Sequence, residues 1–327
     1  MEFKRCEVNP IIPRTKGTFY SEFVANPDVL FFSGRYHYFR GQAEDGHDQI
    51  GVAYSNPNAF DGIHWDMYAD NPIIRVGRNV SDFNSNHVLD PAAVEFGGEV
   101  YLYYTAHSQD RNIAPSIGLM ISEDGTHFEG ILVDPVVNGV APEVVLHDDK
   151  IYILYQRLAS GGYWEIHCCW SDDGVHYPRD RERIVFGPSG KEGAFDRFSL
   201  ATVRIWQEGG WFYMAYAGCD KFTDYPCAIG LARSLDLFEW ERYPDNPVLP
   251  RGAPGTWDEG ALWFPTICKV RGTHYLWYEG CGTGLGLRTP EAREASRKSR
   301  EENYGGYGKT AFSQIGLATY PGEIPIW

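Results

Sequence analysis

Apolar positions along this chain fall into short runs broken by Gly, Asp, Asn and Pro, the pattern of strands joined by turns. One run recurs five times: "IGVAYS" from Ile50, "IGLMIS" from Ile117, "IHCCWS" from Ile166, "IGLARS" from Ile229 and "IGLATY" from Ile315. Four of the copies are trailed by a turn and an aromatic, "FDGIHW", "EDGTHF", "DDGVHY" and "SLDLFEW". Asp-Gly between two strand-like runs marks a hairpin. Three units then meet another turn and short strand, "NPIIR" (71–75), "DPVV" (134–137) or "NPVLP" (246–250). Ahead of every copy lies a longer hydrophobic hairpin, at 26–41, 90–106, 141–157, 200–218 and 264–280.

Each unit therefore holds strand, turn, strand, the Ile-Gly strand and a fourth strand. Four antiparallel strands repeated five times predict an all-β chain folded as a five-bladed β-propeller. The fifth copy lacks an outer strand, because the chain soon reaches Trp327. "CEVNPIIP" near the N-terminus matches the "NPII" that ends the first unit, so an N-terminal strand is expected to close the ring and leave no open edge. The expected organisation is one domain over 1–327. "LRTPEAREASRKSREENYGGYGK" (287–309) breaks the repeat with helix formers after Thr-Pro and reads as a solvated surface insertion in the last blade, with a lid or an oligomer contact as the alternatives.

Composition narrows the function. Of 327 residues 43% are hydrophobic and 15% aromatic, enough for a large core. The net charge of −15 argues against nucleic acid or an anionic membrane as partner, since both would repel the chain. No apolar leader follows "MEFKRCEVNP", and no long uncharged apolar run occurs. The seven cysteines show no CxxC pairing, so reduced thiols in a cytoplasmic protein are expected. No P-loop, Rossmann glycine fingerprint, GxSxG elbow or HExxH occurs.

The blade-opening strands bear the candidate chemistry. In a propeller they line the central channel, and their first residues gather at one mouth. Aligned on proline they read Asn26-Pro27-Asp28, Asp90-Pro91-Ala92, Ala141-Pro142-Glu143, Ala201-Thr202 and Pro265-Thr266. Residues flanking the proline share parity and would face one side of a regular strand. Three consecutive blades thus offer one carboxylate each, Asp28, Asp90 and Glu143, and the last two offer Thr.

These openings resemble those of the five-bladed propeller glycosidase superfamily, which includes glycoside hydrolase families 43, 62, 32, 68, 117 and 130. In families 43 and 32 an Asp, an Asp and a Glu on the first three blades do the chemistry. Both families place the first Asp directly before proline, where this chain has Asn26, and place the Glu before proline, where Glu143 follows it. "NP", "DP" and "PE" on successive blades are closer to family 130, which relies on the Asp of its blade-two "DP" as proton donor and includes many phosphorylases. "YFRG" (38–41) and "YQR" (155–157) also resemble its Arg-bearing strand ends. No Lys follows Pro-Glu, and the later strand ends read "AYAG" and "WYEG", so the basic clamp for phosphate is not visible.

Inverting cleavage of a glycosidic bond needs a protonated acid on the leaving oxygen and an ionised carboxylate to activate water. A third nearby acid keeps one of them protonated by like-charge repulsion. The resemblance implies Asp90 as donor on the family 130 pattern, or Glu143 on the family 43 pattern, with Asp28 or Glu143 as base. Asn26, Arg40, His87, Arg157, Trp164, Arg197, Asp258, Glu259 and Trp263 are candidates to hold sugar hydroxyls or stack on a sugar face. The expected activity is hydrolysis of an oligosaccharide. A phosphate-dependent glycoside phosphorylase and a non-catalytic carbohydrate-binding propeller are the alternatives. Carboxylates would tolerate a pore cation such as calcium, but no ligand spacing argues for one, and neither cofactor nor metal is expected. Oligomeric state is not legible.

Overall fold

The computed structural model of the chain describes residues 1–56, 58–130, 134–222, 225–282, 312–325 and 327. The expected insertion at 287–309 lies outside the described residues. A short strand β1 (Lys4–Arg5) precedes the first sheet, β2 (Phe23–Phe31), β3 (Arg35–Gln42), β4 (Asp48–Ser55) and β5 (Asp66–Met67). The second sheet is β6 (His87–Phe96), β7 (Glu99–His107) and β8 (Ser116–Ser122), with a further edge bridge from Ile121 to Glu129. The third is β9 (Val140–His147), β10 (Lys150–Leu158), β11 (Trp164–Ser171) and β12 (Arg183–Phe186). The fourth is β13 (Ser199–Glu208), β14 (Trp211–Cys219), β15 (Ala228–Ser234), β16 (Glu241–Arg242) and β17 (Leu249–Pro250). The fifth is β18 (Ala261–Val270), β19 (Thr273–Gly282) and β20 (Phe312–Pro321), and β1 joins it by pairing antiparallel with β20. These antiparallel sheets are the blades of a five-bladed β-propeller, with the N-terminal strand completing the fifth. Among the described residues the only helix is a 3-10 turn at Arg179–Arg181, and none is long and apolar enough to cross a membrane.

The chain forms two compact units. One comprises Thr15–Arg157 and His167–Ile184, and holds the first two sheets with β9 and nearly all of β10. Its core joins Tyr38, Ile50 and Val52 of the first sheet to Val88, Leu102 and Tyr104 of the second. The other comprises Met1–Arg14, Leu158–Ile166 and Val185–Trp327, and holds the fourth and fifth sheets with β1. There Ile229, Leu231 and Tyr213 pack with Leu276, Tyr278 and Ala318.

Close packing explains the Ile-Gly repeat. The isoleucines Ile50, Ile117, Ile229 and Ile315 are fully buried. Each glycine beside them faces an aromatic ring. A Cβ on Gly51 would lie 2.4 Å from the Phe19 ring, on Gly230 2.4 Å from Phe195, and on Gly316 2.6 Å from Trp257. The glycine that ends the middle strand of the same blade meets the same ring, at 2.4 Å for Gly41, 2.6 Å for Gly218 and 2.4 Å for Gly280. The pair of glycines thus forms a slot, and the aromatic in it anchors the loop that leads into the inner strand.

The Asn-Pro repeat has a cause of its own. The Asn71 amide accepts from Val52 N–H and donates to Val52 C=O, both at 2.8 Å. Asn246 does the same to Leu231 (2.8 and 2.9 Å), and Asn9 to Leu317 (2.8 Å for both). A side-chain amide here replaces the next strand's backbone. In the Asp-Gly-x-His turns, the Asp side chain accepts from the backbone N–H groups two and three residues on and meets the His ring. For Asp124 and His127 the Nδ1···Oδ2 distance is 2.6 Å, at an exposed position.

Candidate functional site

Every inner strand carries a bulge at one corresponding place. Pairing slips between Ala25 and Asp28 in β2, Leu89 and Ala92 in β6, Leu200 and Val203 in β13, and Trp263 and Thr266 in β18. In the third sheet the slip lies opposite Leu154 and Gln156, between Val140 and Glu143. Four of the bulges contain a left-handed residue: Asn26 (φ 50°), Asp90 (φ 54°), Ala141 (φ 51°) and Phe264 (φ 46°). Asn and Asp tolerate that conformation, whereas Ala and Phe are strained in it. The two strained cases have a partner: Ala141 N–H donates to Thr105 Oγ1 and Phe264 N–H to Thr202 Oγ1, both at 2.7 Å. The positions flanking the proline are therefore set by the bulge and not by strand alternation, because the extra residue interrupts the period of two.

Register also corrects the alignment of the fourth blade. Val24 pairs with Gly41, Val88 with Ala106, Leu262 with Gly280, and Leu200 with Gly218. Counting on from these pairs, Thr202 occupies the position of Asn26 and Asp90. Arg204 occupies that of Asp28, Glu143 and Thr266. The fourth blade has no proline to mark the bulge, so the sequence pointed to Thr202 alone. Arg204 is 2% exposed, donates from a terminal nitrogen to Val203 C=O at 3.0 Å, and lies 5.3 Å from the centre of the Phe264 ring.

Asp28, Asp90 and Glu143 belong to one unit and are buried, at 6%, 5% and 5% exposure. Asp28 Oδ2 accepts the N–H of Ala93 at 2.8 Å, which ties the first blade's acid to the second blade's inner strand. Asn26 is buried one residue before Pro27.

Beside the leading ends of β4 and β6, the candidates Arg40 and His87 belong to a charged cluster whose central carboxylate, Asp48, the sequence did not flag. Asp48, also buried, takes Arg40 Nε at 2.5 Å and Gln42 Nε2 at 3.1 Å on Oδ1, and His87 Nδ1 at 2.9 Å on Oδ2. Burial works against its ionisation, but Arg40 and His87 together outweigh that and hold its carboxyl below the ordinary carboxylate range. His47 Nδ1 donates to Asn86 C=O at 2.7 Å. The His107 ring stands 5.8 Å from that of His87, and burial, followed by the His87 charge, pushes its pKa down. Arg40 and His87 are thus brought together by a carboxylate that neither sequence motif contains.

The remaining candidates lie elsewhere. Arg157 pairs with Glu182 and donates to Asn138 C=O at 2.8 Å, on the wall of a cavity of about 170 Å³. Asp258 is held inside the fifth blade by Arg5 Nε (2.7 Å), Tyr278 Oη (2.9 Å) and Thr256 Oγ1 (3.0 Å). The fourth blade repeats this clasp, with Arg242 Nε (2.7 Å) and Tyr216 Oη (3.1 Å) on Asp196. Glu259 Oε2 accepts Gly255 N–H at 2.6 Å within its own loop. Trp164 opens β11 and donates its backbone N–H to Ser199 Oγ at 3.0 Å. The Arg197 guanidinium lies 4.7 Å from the centre of the Phe198 ring, and Trp263 packs edge-on to Tyr225 at 5.2 Å. Among the described residues no group of three or more His, Cys, Asp or Glu is arranged to hold a metal ion.

Fold and bulge chemistry together define a β-propeller with acids on its inner strands. No family model matches the chain. An uncharacterised protein of Mycobacterium tuberculosis (strain ATCC 25618 / H37Rv), Rv1502, is 26% identical over 274 residues, covering 78% of this chain and 87% of its own. An N-acetylgalactosamine deacetylase from F. plautii, solved with blood group B trisaccharide, has a TM-score of 0.73 at 15% identity, covering 98% of this chain and 95% of its own. The β-1,2-mannobiose phosphorylase of Listeria innocua has a TM-score of 0.69 at 13% identity, covering 98% and 97%. A glycosyl hydrolase from Bacteroides ovatus has a TM-score of 0.69 at 15% identity, covering 99% and 94%. At these identities the likeness is one of fold, and it bears out the resemblance to propeller glycosidases at that level.

Proposed function

We propose that the protein is a glycoside hydrolase that cleaves an oligosaccharide with inversion, with Asp28, Asp90 and Glu143 as its acids. One observation carries this reading: three buried carboxylates sit on the bulges of three consecutive inner strands within one unit. A left-handed acid at a bulge is the kind of backbone outlier that gathers at working sites. Asp90 is assigned the proton to the leaving oxygen, and Glu143 or Asp28 the activation of water on the opposite face. Asp48 engages both Arg40 and His87, which supports water over phosphate as the co-substrate. The absence of any disulfide among the seven cysteines fits a cytoplasmic setting.

The test is proton NMR of the protein with a panel of neutral oligosaccharides, with and without phosphate, beside Asp90→Asn and Glu143→Gln. Asn suits a residue at φ 54°, so Asp90→Asn removes the acid without straining the bulge. Free sugar of inverted configuration, formed without phosphate and lost by at least about a hundredfold in Asp90→Asn, is the expected result. A sugar 1-phosphate formed only with phosphate would make the protein a phosphorylase, and released acetate would make it a deacetylase. Full turnover in both variants would refute the assignment of the acids.

A further inference from the structure

We infer that the third blade holds a binding site of its own for a single pyranose bearing a carboxylate, a hexuronate, in the slot that an aromatic ring fills elsewhere in the repeat. The site contains none of the proposed acids and none of the Asp48 cluster, and it does not depend on the hydrolase reading.

The slot differs because three residues of the repeat are exchanged at once. Seven residues ahead of the bulge residues Asn26, Thr202 and Phe264 stand Phe19, Phe195 and Trp257, the rings that fill the glycine slots of their blades. Phe83 likewise stands seven ahead of Asp90, but Asp134 stands seven ahead of Ala141. The glycines are exchanged as well. Val140 pairs with Gln156 as Ala25 pairs with Arg40, so Arg157 holds the place of Gly41. His167 follows Ile166 as Gly51 follows Ile50. Both of these side chains close on one carboxylate oxygen, Glu182 Oε1, with His167 Nδ1 at 2.8 Å. A cavity of about 170 Å³ lies beside them, lined by Val136, Tyr155, Arg157, Tyr177, Arg179 and Glu182.

That volume suits one ring, since a cavity of about 150 Å³ takes up benzene. Two of its walls are fixed. Tyr155 is buried against Gly139, where a Cβ would lie 2.4 Å from the ring, and Tyr177 Oη donates to Tyr103 Oη at 3.0 Å. The charges point to the ligand. Arg157 is paired with Glu182, whereas Arg179 is exposed and has no ion pair among the described residues. The lining thus carries one unbalanced positive charge, in a chain whose net charge is −15. One unbalanced cation suits a monoanion, and a planar guanidinium takes a carboxylate through two parallel hydrogen bonds. The hydroxyls of a pyranose would meet the Asn138 amide on the same wall, and its apolar face Val136 and Val137.

The experiment is calorimetric titration of the full chain with D-glucuronate, D-galacturonate and D-mannuronate, beside glucose and inorganic phosphate. At least one hexuronate should bind, with glucose at least about tenfold weaker for want of the charge. Arg179→Met should weaken that binding about tenfold and, because Arg179 is exposed, leave the thermal melt unchanged. Asp134→Phe restores the ring that the other blades carry and should abolish binding while the melt holds or rises. If that variant fails to fold, Arg179→Met decides alone. No hexuronate bound, glucose or phosphate bound as tightly as the hexuronate, or undiminished binding in the folded variants overturns the inference. Binding is read without turnover, so the hexuronate should titrate unchanged in Asp90→Asn whether or not the three acids are catalytic.

Discussion

A methyl group added at Gly230 should unfold the fourth blade's aromatic slot. Its Cβ would lie 2.4 Å from Phe195 Cζ and 2.9 Å from Asn246 Oδ1, against about 3.5–4.0 Å for an unstrained contact of carbon atoms. Neither neighbour can yield cheaply. The Phe195 ring also bears on Gly218 and packs tilted against Tyr216 at 5.5 Å, while the Asn246 amide is tied by two hydrogen bonds to Leu231. Overpacking of this kind costs about 1–3 kcal/mol, and the entropy that alanine saves in a strand returns about 0.5–1. The expected net loss for Gly230→Ala is therefore about 1–2 kcal/mol. Gly34→Ala is the control: its Cβ would meet nothing nearer than 3.8 Å, so its stability should hold or rise slightly. Urea unfolding followed by circular dichroism and tryptophan fluorescence measures both. In a Phe195→Ala background the ring is gone, and Gly230→Ala should cost visibly less, giving a coupling of about 1 kcal/mol. The slot is refuted if Gly230→Ala costs no more than Gly34→Ala, or if its cost is the same without the ring.

Two further effects follow from buried charge. Arg5→Met removes the cation from Asp258, whose side chain is 1% exposed, and should cost about 3 kcal/mol in urea unfolding. Glu241→Gln, which breaks a pair whose carboxylate is 58% exposed, should cost less than about 1 kcal/mol; equal costs would contradict the clasp. His37 is fully buried edge-on to Trp65, and burial lowers its pKa from 6.5 to about 3. The unfolded chain therefore takes up a proton first as pH falls. Stability should be complete above pH 6.5 and decline toward pH 3, at up to about 1.4 kcal/mol per unit. Urea midpoints at pH 7.5, 6.0 and 5.0 check this. The decline should be shallower in His37→Gln, and a flat profile in the parent would show that the ring protonates in place.

Much of the fold was legible because its causes are local. Strand period, Asp-Gly turns and Asn-Pro turns act over a few residues, so the fivefold recurrence of the strands they punctuate predicted the blades and the closing N-terminal strand. Proline marked the inner strands at Asn26, Asp90 and Ala141, and with them the acids Asp28, Asp90 and Glu143. The meaning of the repeats was not legible. Gly230 is a glycine because Phe195, distant in the chain, occupies the space of its side chain.

The sequence by itself determined the class of fold and which inner strands bear carboxylates, since both depend on neighbours along the chain. Tertiary structure alone decided the rest. A bulge rather than strand alternation orients the acids, and register exposed Arg204 as their counterpart in a blade without proline. Asp48 became the partner of His87 across 39 residues, and Asp258 that of Arg5 across 253. A charge declares its partner only when folding removes water from between them, and no spacing in the chain records that distance.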